Sequence, residues 1–184
     1  MFVILKNNVV VGMVDGQPDG GDLETRGEVA VEVLDATPSL GDIYDPLGMT
    51  FSTPELSLDD LTQAKRLELM TAANAAIEAG ITHNVLGADH VYPTKRDDQN
   101  NLSALSLKAE RVDRLGEAWA ARFWCADAAD VWMRRVHTAA QIIDLGETVM
   151  LHVQSQQDHY EIRLAELASA ALQGDRAGVE AVVW

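Results

Sequence analysis

The chain has a single cysteine, Cys125, so no internal disulfide can form and the pattern suits a reducing compartment. Cys125 sits between Trp124 and Ala126 in a strand-like run with no His-Asn partner pattern around it, which favours a buried small hydrophobe over a nucleophile. Bases are scarce: 14 lysines and arginines face 29 acids, a formal charge of −15. A nucleic acid duplex or an anionic membrane is repelled at long range by such a chain, and a basic protein surface is attracted. No apolar run approaches the ~20 residues of a membrane span. No signal peptide is apparent at the N-terminus, because the apolar start is broken by Lys6-Asn7-Asn8. Also missing are a Gly-rich phosphate loop, HExxH, paired CxxC and a GxSxG elbow. The main positive reasons for an enzyme are therefore absent, and neither a catalytic residue nor a cofactor is expected.

What is present divides in two. Residues 1–56 hold ten acids against two bases, while residues 57–184 hold nineteen against twelve. The first segment reads as an acidic β-strand module. Phe2 to Leu5 and Val9 to Val14 predict a hairpin, since Asn7 and Asn8 tolerate the positive φ of a two-residue loop. Residues 17–26 read as a Gly/Asp-rich loop. Glu28 to Leu34 alternates, with Val29, Val31 and Val33 on one side. Asp42-Ile43-Tyr44 and Met49-Thr50-Phe51 flank a turn, Asp45-Pro46-Leu47-Gly48, in which Asp caps the first position, Pro presets φ and Gly supplies the permissive fourth.

Residues 57–184 read as helix-rich. Ser57 and Asp60 have capping-box spacing, and a helix is predicted from Leu58 to Ala79 with Gly80 ending it. Leu61, Ala64, Arg66-Leu67, Met70-Thr71, Asn74 and Ile77 trace its amphipathic stripe. A hairpin over Ile81 to Tyr92 turns at Gly87, and an acidic-start helix runs from Asp97-Asp98 to about Leu115. Arg122 to Cys125 and Val131 to Val136 form a second hairpin. Thr138 and Gln141 cap a long helix to Leu172, with Ile142, Val149, Val153, Tyr160, Leu164, Leu167 and Ala171 on one face. Gly174 stops it, and a last short helix is expected before Trp184. The fold class is α+β: a small antiparallel β meander, then a helix-rich domain with two β-hairpins and a long C-terminal helix.

The wording G-D-x-Y-D-P-x-G-x-x-F across Gly41 to Phe51 resembles small tail proteins of tailed bacteriophages, often labelled tail-fibre-assembly-like. A second resemblance covers about residues 57–172. Ala64-Lys65-Arg66, Ala75 to Gly80, Trp124 to Asp130 and Ile142 to His152 are similar to a domain of unknown function found near the C-terminus of many phage tail proteins. Trp132-Met133-Arg134-Arg135 and Cys125 depart from that pattern. The resemblances imply a non-catalytic structural or accessory subunit of a phage tail, associated with baseplate or tail fibre. The alternative is a cytoplasmic tail-fibre assembly chaperone absent from the mature particle. Fibre or baseplate proteins are the implied partners, with a homo-oligomer as a further option. The implied location is the host cytoplasm during assembly, and the virion tail for a structural subunit.

Candidate contact residues follow from chemistry. Trp119, Trp124 and Trp132 lie close in sequence to Arg122, Arg134 and Arg135, and large aromatics with arginine are enriched in binding hot spots. The same residues also suit an ordinary core with snorkelling arginines. His152, Gln156 and His159 share one side of the long helix. They form either a polar, pH-responsive seam between copies or a solvated patch, and the second is favoured. His83, Asp89 and His90 on the first hairpin are either cation ligands or polar residues near a turn, and again the second is favoured. Asp15, Asp19 and Asp22 lack the alternating spacing of an EF-hand loop and read as a flexible acidic loop.

Overall fold

A computed structural model describes residues 1–33 and 37–184. They form two compact units, Met1–Ser57 and Leu58–Trp184, and each has its own apolar core.

The first unit holds β1 (Phe2–Lys6), β2 (Val9–Val14), α1 (Gly20–Arg26), β3 (Val29–Glu32), β4 (Ile43–Asp45) and β5 (Thr50–Ser52). The strands make one antiparallel sheet in the order β3-β1-β2-β4-β5. Asn7 and Asn8 take φ of 53° and 63°, as their place in the β1–β2 loop requires. Val3, Leu5, Val10 and Val33 are buried, with Val31, Tyr44 and Phe51 packed against them. Val29 stays exposed because β3 is an edge strand. The predicted end of that strand, Leu34, lies outside the described residues.

Two expectations change here. The stretch expected as loop contains the helix α1. Asp19 accepts from the Gly21 N–H at 3.0 Å, Gly27 closes the helix at φ 67°, and Leu23 is buried. In the β4–β5 turn the positive φ falls on Met49 (51°), not on Gly48. At Gly48 a Cβ would lie 2.9 Å from an Asp45 carboxylate oxygen, so a side chain there would displace that carboxylate. That carboxylate accepts from the Leu47 and Gly48 N–H groups, so the expected Asp cap is present.

The second unit holds α2 (Leu58–Glu78), β6 (Ile81–His83), β7 (His90–Tyr92), α3 (Arg96–Arg114), β8 (Ala120–Ala126), β9 (Trp132–Thr138), α4 (Ala139–Leu172) and α5 (Arg176–Ala181). The fold class is α+β as expected. The two hairpins are not separate, however. Val91 pairs with Ala126 and joins them into one antiparallel sheet, β6-β7-β8-β9.

Local signals set the helix ends. Thr138 and Gln141 form the full capping box of α4, with bonds of 3.3 and 2.8 Å. Gly80 ends α2 at φ 89°, and a Cβ there would meet the Tyr92 carbonyl at 2.9 Å. Buried Thr94 joins helix to sheet end: its hydroxyl accepts from the Gly80 N–H at 2.9 Å and donates to the Ile77 carbonyl at 2.5 Å.

The helix α4 has 34 residues, a length of about 51 Å, and it serves two clusters. Ile142, Leu145, Val149 and Val153 pack with Leu102, Ala109 and Val112 of α3 and with Phe123, Cys125 and Tyr92 of the sheet. Tyr160, Leu164, Leu167 and Ala171 pack with Leu69 of α2 and with Val179 and Val182. The predicted face of α4 is the observed one. That of α2 is so only in part, at Leu61 and Ile77. Leu67 and Met70 point to solvent, and the buried side carries Thr62, Leu69 and Ala73, with Leu58 and Leu61 packed against the core. Small residues there permit close helix contact, so the larger apolar residues mislead.

Candidate functional site

Side-chain alternation in β8 and β9 explains where the tryptophans and arginines go. The strands pair without a slip: Arg122 with Val136, Phe123 with Arg135, Trp124 with Arg134, Cys125 with Met133 and Ala126 with Trp132. Residues directly opposite share a face. One face therefore carries Arg122, Trp124, Trp132, Arg134 and Val136. The other carries Phe123, Cys125, Arg135 and His137, and it packs on α3 and α4.

The helix-facing side holds a polar network. His137 is fully buried, with Nδ1 3.0 Å from the Arg135 carbonyl and Nε2 3.1 Å from the Tyr92 hydroxyl. A carbonyl only accepts, so Nδ1 carries the proton and Nε2 accepts from Tyr92. Burial pushes the His137 pKa below its ordinary value, and burial raises those of Tyr92 and Cys125. A thiol so placed is a poor nucleophile. Arg135 bonds Asp127 at 2.6 Å. The Asp127 carboxylate also takes the Ala129 and Val131 N–H groups, and these bonds, that to Val131 foremost, hold it below the usual carboxylate range. This network fixes the β8–β9 turn and the inner face of the sheet.

The opposite face is open. Trp124 is 47% exposed, Trp132 45% and Val136 55%. Among the described residues Arg122 and Arg134 make no ion pair. The Arg134 Nη2 donates instead to the Arg122 carbonyl at 3.2 Å. Two guanidiniums without carboxylates, in a chain of charge −15, beside two half-exposed indoles, have the composition of a protein-contact patch. A groove of about 670 Å³ runs elsewhere, between α3 and α4, where Leu102, Leu107, Val149 and Met150 alternate with polar residues such as Gln99 and Glu110.

Four of the nine predicted contact residues thus come together: Arg122, Trp124, Trp132 and Arg134. The other five go elsewhere. Trp119 packs against the core of α3, α4 and the sheet. Arg135 faces inward to Asp127. His152 lies 3.2 Å from the Ala76 carbonyl of α2, and His159 meets the Trp184 ring edge-on at 4.6 Å. Both are half-buried and have partners within the unit, so they are not a purely solvated patch. Gln156, one turn from each, is partly buried. Val136, and Val91 at 36% exposure, extend the open face and went unnoticed in the sequence; the parity of Val131 to Val136 carried the signal for the first.

The other polar sets are dispersed. His83 and His90 are cross-strand partners, but His83 Nε2 pairs with Asp144 at 3.1 Å and His90 Nδ1 lies 2.8 Å from the Ala88 carbonyl. Asp19 caps α1, and Asp22 pairs with Arg26 at 3.2 Å. No group of three His, Cys, Asp or Glu among the described residues is placed to hold a metal ion. No helix among them is long and apolar enough to cross a membrane.

Residues 60–182 match the family model described as Domain of unknown function (DUF4376). No curated protein and no solved structure matches the chain.

Proposed function

The chain belongs to the DUF4376 family, and from that premise we propose that it is a non-catalytic structural or accessory subunit of a bacteriophage tail, working through protein–protein contacts. The observation that carries the contact role is the open sheet face. Arg122, Trp124, Trp132 and Arg134 are gathered on it without ion pairs among the described residues. Half-exposed indoles beside arginines without carboxylate partners match the aromatic and arginine enrichment of protein-contact surfaces. The phage setting is supported by the Gly41 to Phe51 wording and by its likeness to small tail proteins.

The test is quantitative peptide mass spectrometry on purified particles of the source phage and on infected-cell lysate. Recovery in particles at the level of other tail subunits is the expected result. Presence in lysate with absence from particles overturns the structural role and assigns an assembly chaperone. Absence from both overturns the phage setting.

A further inference from the structure

The strand β8 is paired along its whole length by β9 but on its other side only at Ala126, by Val91. From Ala120 to Cys125 that second side is open among the described residues. The turn sets the direction of the backbone groups. Asp127 donates its N–H to the Val131 carbonyl at 3.4 Å, toward β9. Antiparallel ladders alternate residue by residue. Cys125, Phe123 and Ala121 therefore bond to β9, and Trp124 and Arg122 aim their N–H and C=O groups at the open side. The Arg134 guanidinium on the Arg122 carbonyl occupies the acceptor that an added strand would use.

A groove of about 610 Å³ runs beside this edge, walled on the far side by Asn101, Ala104 and Leu105 of α3. An extended chain rises about 3.3 Å per residue, so the open stretch accepts five or six residues. We propose that this cleft is a strand-addition site, which takes an extended acidic segment of another protein between β8 and α3. The inference rests on the contact reading above and gives it a mode and a partner chemistry.

Charge decides the occupant. Arg122 and Arg134 line the groove together with Asp98, and of the three only Asp98 also borders the neighbouring groove at Trp124 and Trp132. A segment with carboxylates against the arginines and an apolar residue toward Asp98 complements both. A second copy of β8 does not. Antiparallel self-pairing centred on Arg122 opposes the two arginines, and opposed like charges destabilise a ladder; in any register a second β8 brings arginine and no carboxylate to the Arg122–Arg134 pair.

The experiment uses the full ¹⁵N-labelled chain. The probe is an acetylated, amidated heptapeptide of alternating valine and glutamate. Amide hydrogen exchange is read residue by residue, and affinity by titration. Bound peptide slows exchange at the Arg122 and Trp124 amides by about tenfold or more. N-methylation of the peptide N–H groups that face β8, replacement of its glutamates by lysine, and the paired substitutions Arg122→Glu and Arg134→Glu each weaken binding about tenfold. Both substituted residues are exposed, and circular dichroism checks that the variant is folded.

The proposal is overturned by protection at Trp132, Arg134 and Val136 on the outer edge of β9 instead of at β8. It is equally overturned by undiminished binding of the N-methylated peptide, or by no binding at millimolar peptide. Particle composition is measured separately, so failure of the tail assignment and failure of strand addition give different results.

Discussion

Thr94 offers a direct test of how the second unit is tied together. Thr94→Val keeps the shape and β-branching of the side chain and removes only the hydroxyl. In the wild type that oxygen takes the Gly80 N–H and gives its proton to the Ile77 carbonyl, at a fully buried position. Each buried backbone group left without a partner costs about 1–3 kcal/mol. Ile77 and Gly80 are only partly buried, so water recovers some of the loss, and the sum is about 2–3 kcal/mol. For a unit of this length that lowers the melting temperature by roughly 6–10 °C. Thr94→Ser keeps both bonds and loses one methyl group, a cost of about 1 kcal/mol. Urea unfolding followed by tryptophan fluorescence isolates this unit, because Trp119, Trp124, Trp132 and Trp184 all lie within it. A valine variant within about 0.5 kcal/mol of wild type, or a serine variant weaker than the valine one, refutes the reasoning.

Other outcomes follow from the same geometry. Because the folded state keeps His137 neutral below its ordinary pKa of 6.5, its contribution is fully present above pH 6.5 and lost as pH falls below it; an NMR titration of the imidazole with a midpoint at or above 6.5 contradicts this. Tyr92 has the opposite sign: its pKa is raised above 10.0, so its contribution holds below pH 10 and is lost as pH rises beyond, which denaturation midpoints across that range will record. Leu145→Ala at a fully buried position of α4 costs about 2–5 kcal/mol, measured by the same urea unfolding. Cys125, buried with its thiol pKa raised, reacts with an aromatic disulfide reagent only after denaturant is added; prompt reaction in buffer argues against the packing described.

What the sequence disclosed was mostly local. The Asn7-Asn8 loop, the Thr138–Gln141 box and the glycines that end α2 and turn the first hairpin are signals within a few residues, and each appears where expected. The face of α4 was legible because its apolar residues are large. The face of α2 was legible only at Leu61 and Ile77, because Thr62 and Ala73 are the buried positions while Leu67 and Met70 point outward. The single Val91–Ala126 pairing that merges two hairpins spans α3 and leaves no trace in either strand alone. For the candidate site, residue types were legible and directions were not. Arg134 and Arg135 differ only in strand parity, yet one faces solvent and the other bonds Asp127. His152 is settled by the carbonyl of Ala76 on a helix far away in sequence.

The reach of α4 also bears on how the second unit comes apart. Its N-terminal half is built into the cluster around Ile142 and Leu145, its C-terminal half into the cluster around Leu167. Local fraying stays at the helix ends, but loss of either cluster strips the packing from half of the shared helix, so the two clusters are expected to open together. Amide protection near the middle of the helix, at Leu151 to Ser155, then reports global opening, whereas protection at Leu172 reports only the loose end.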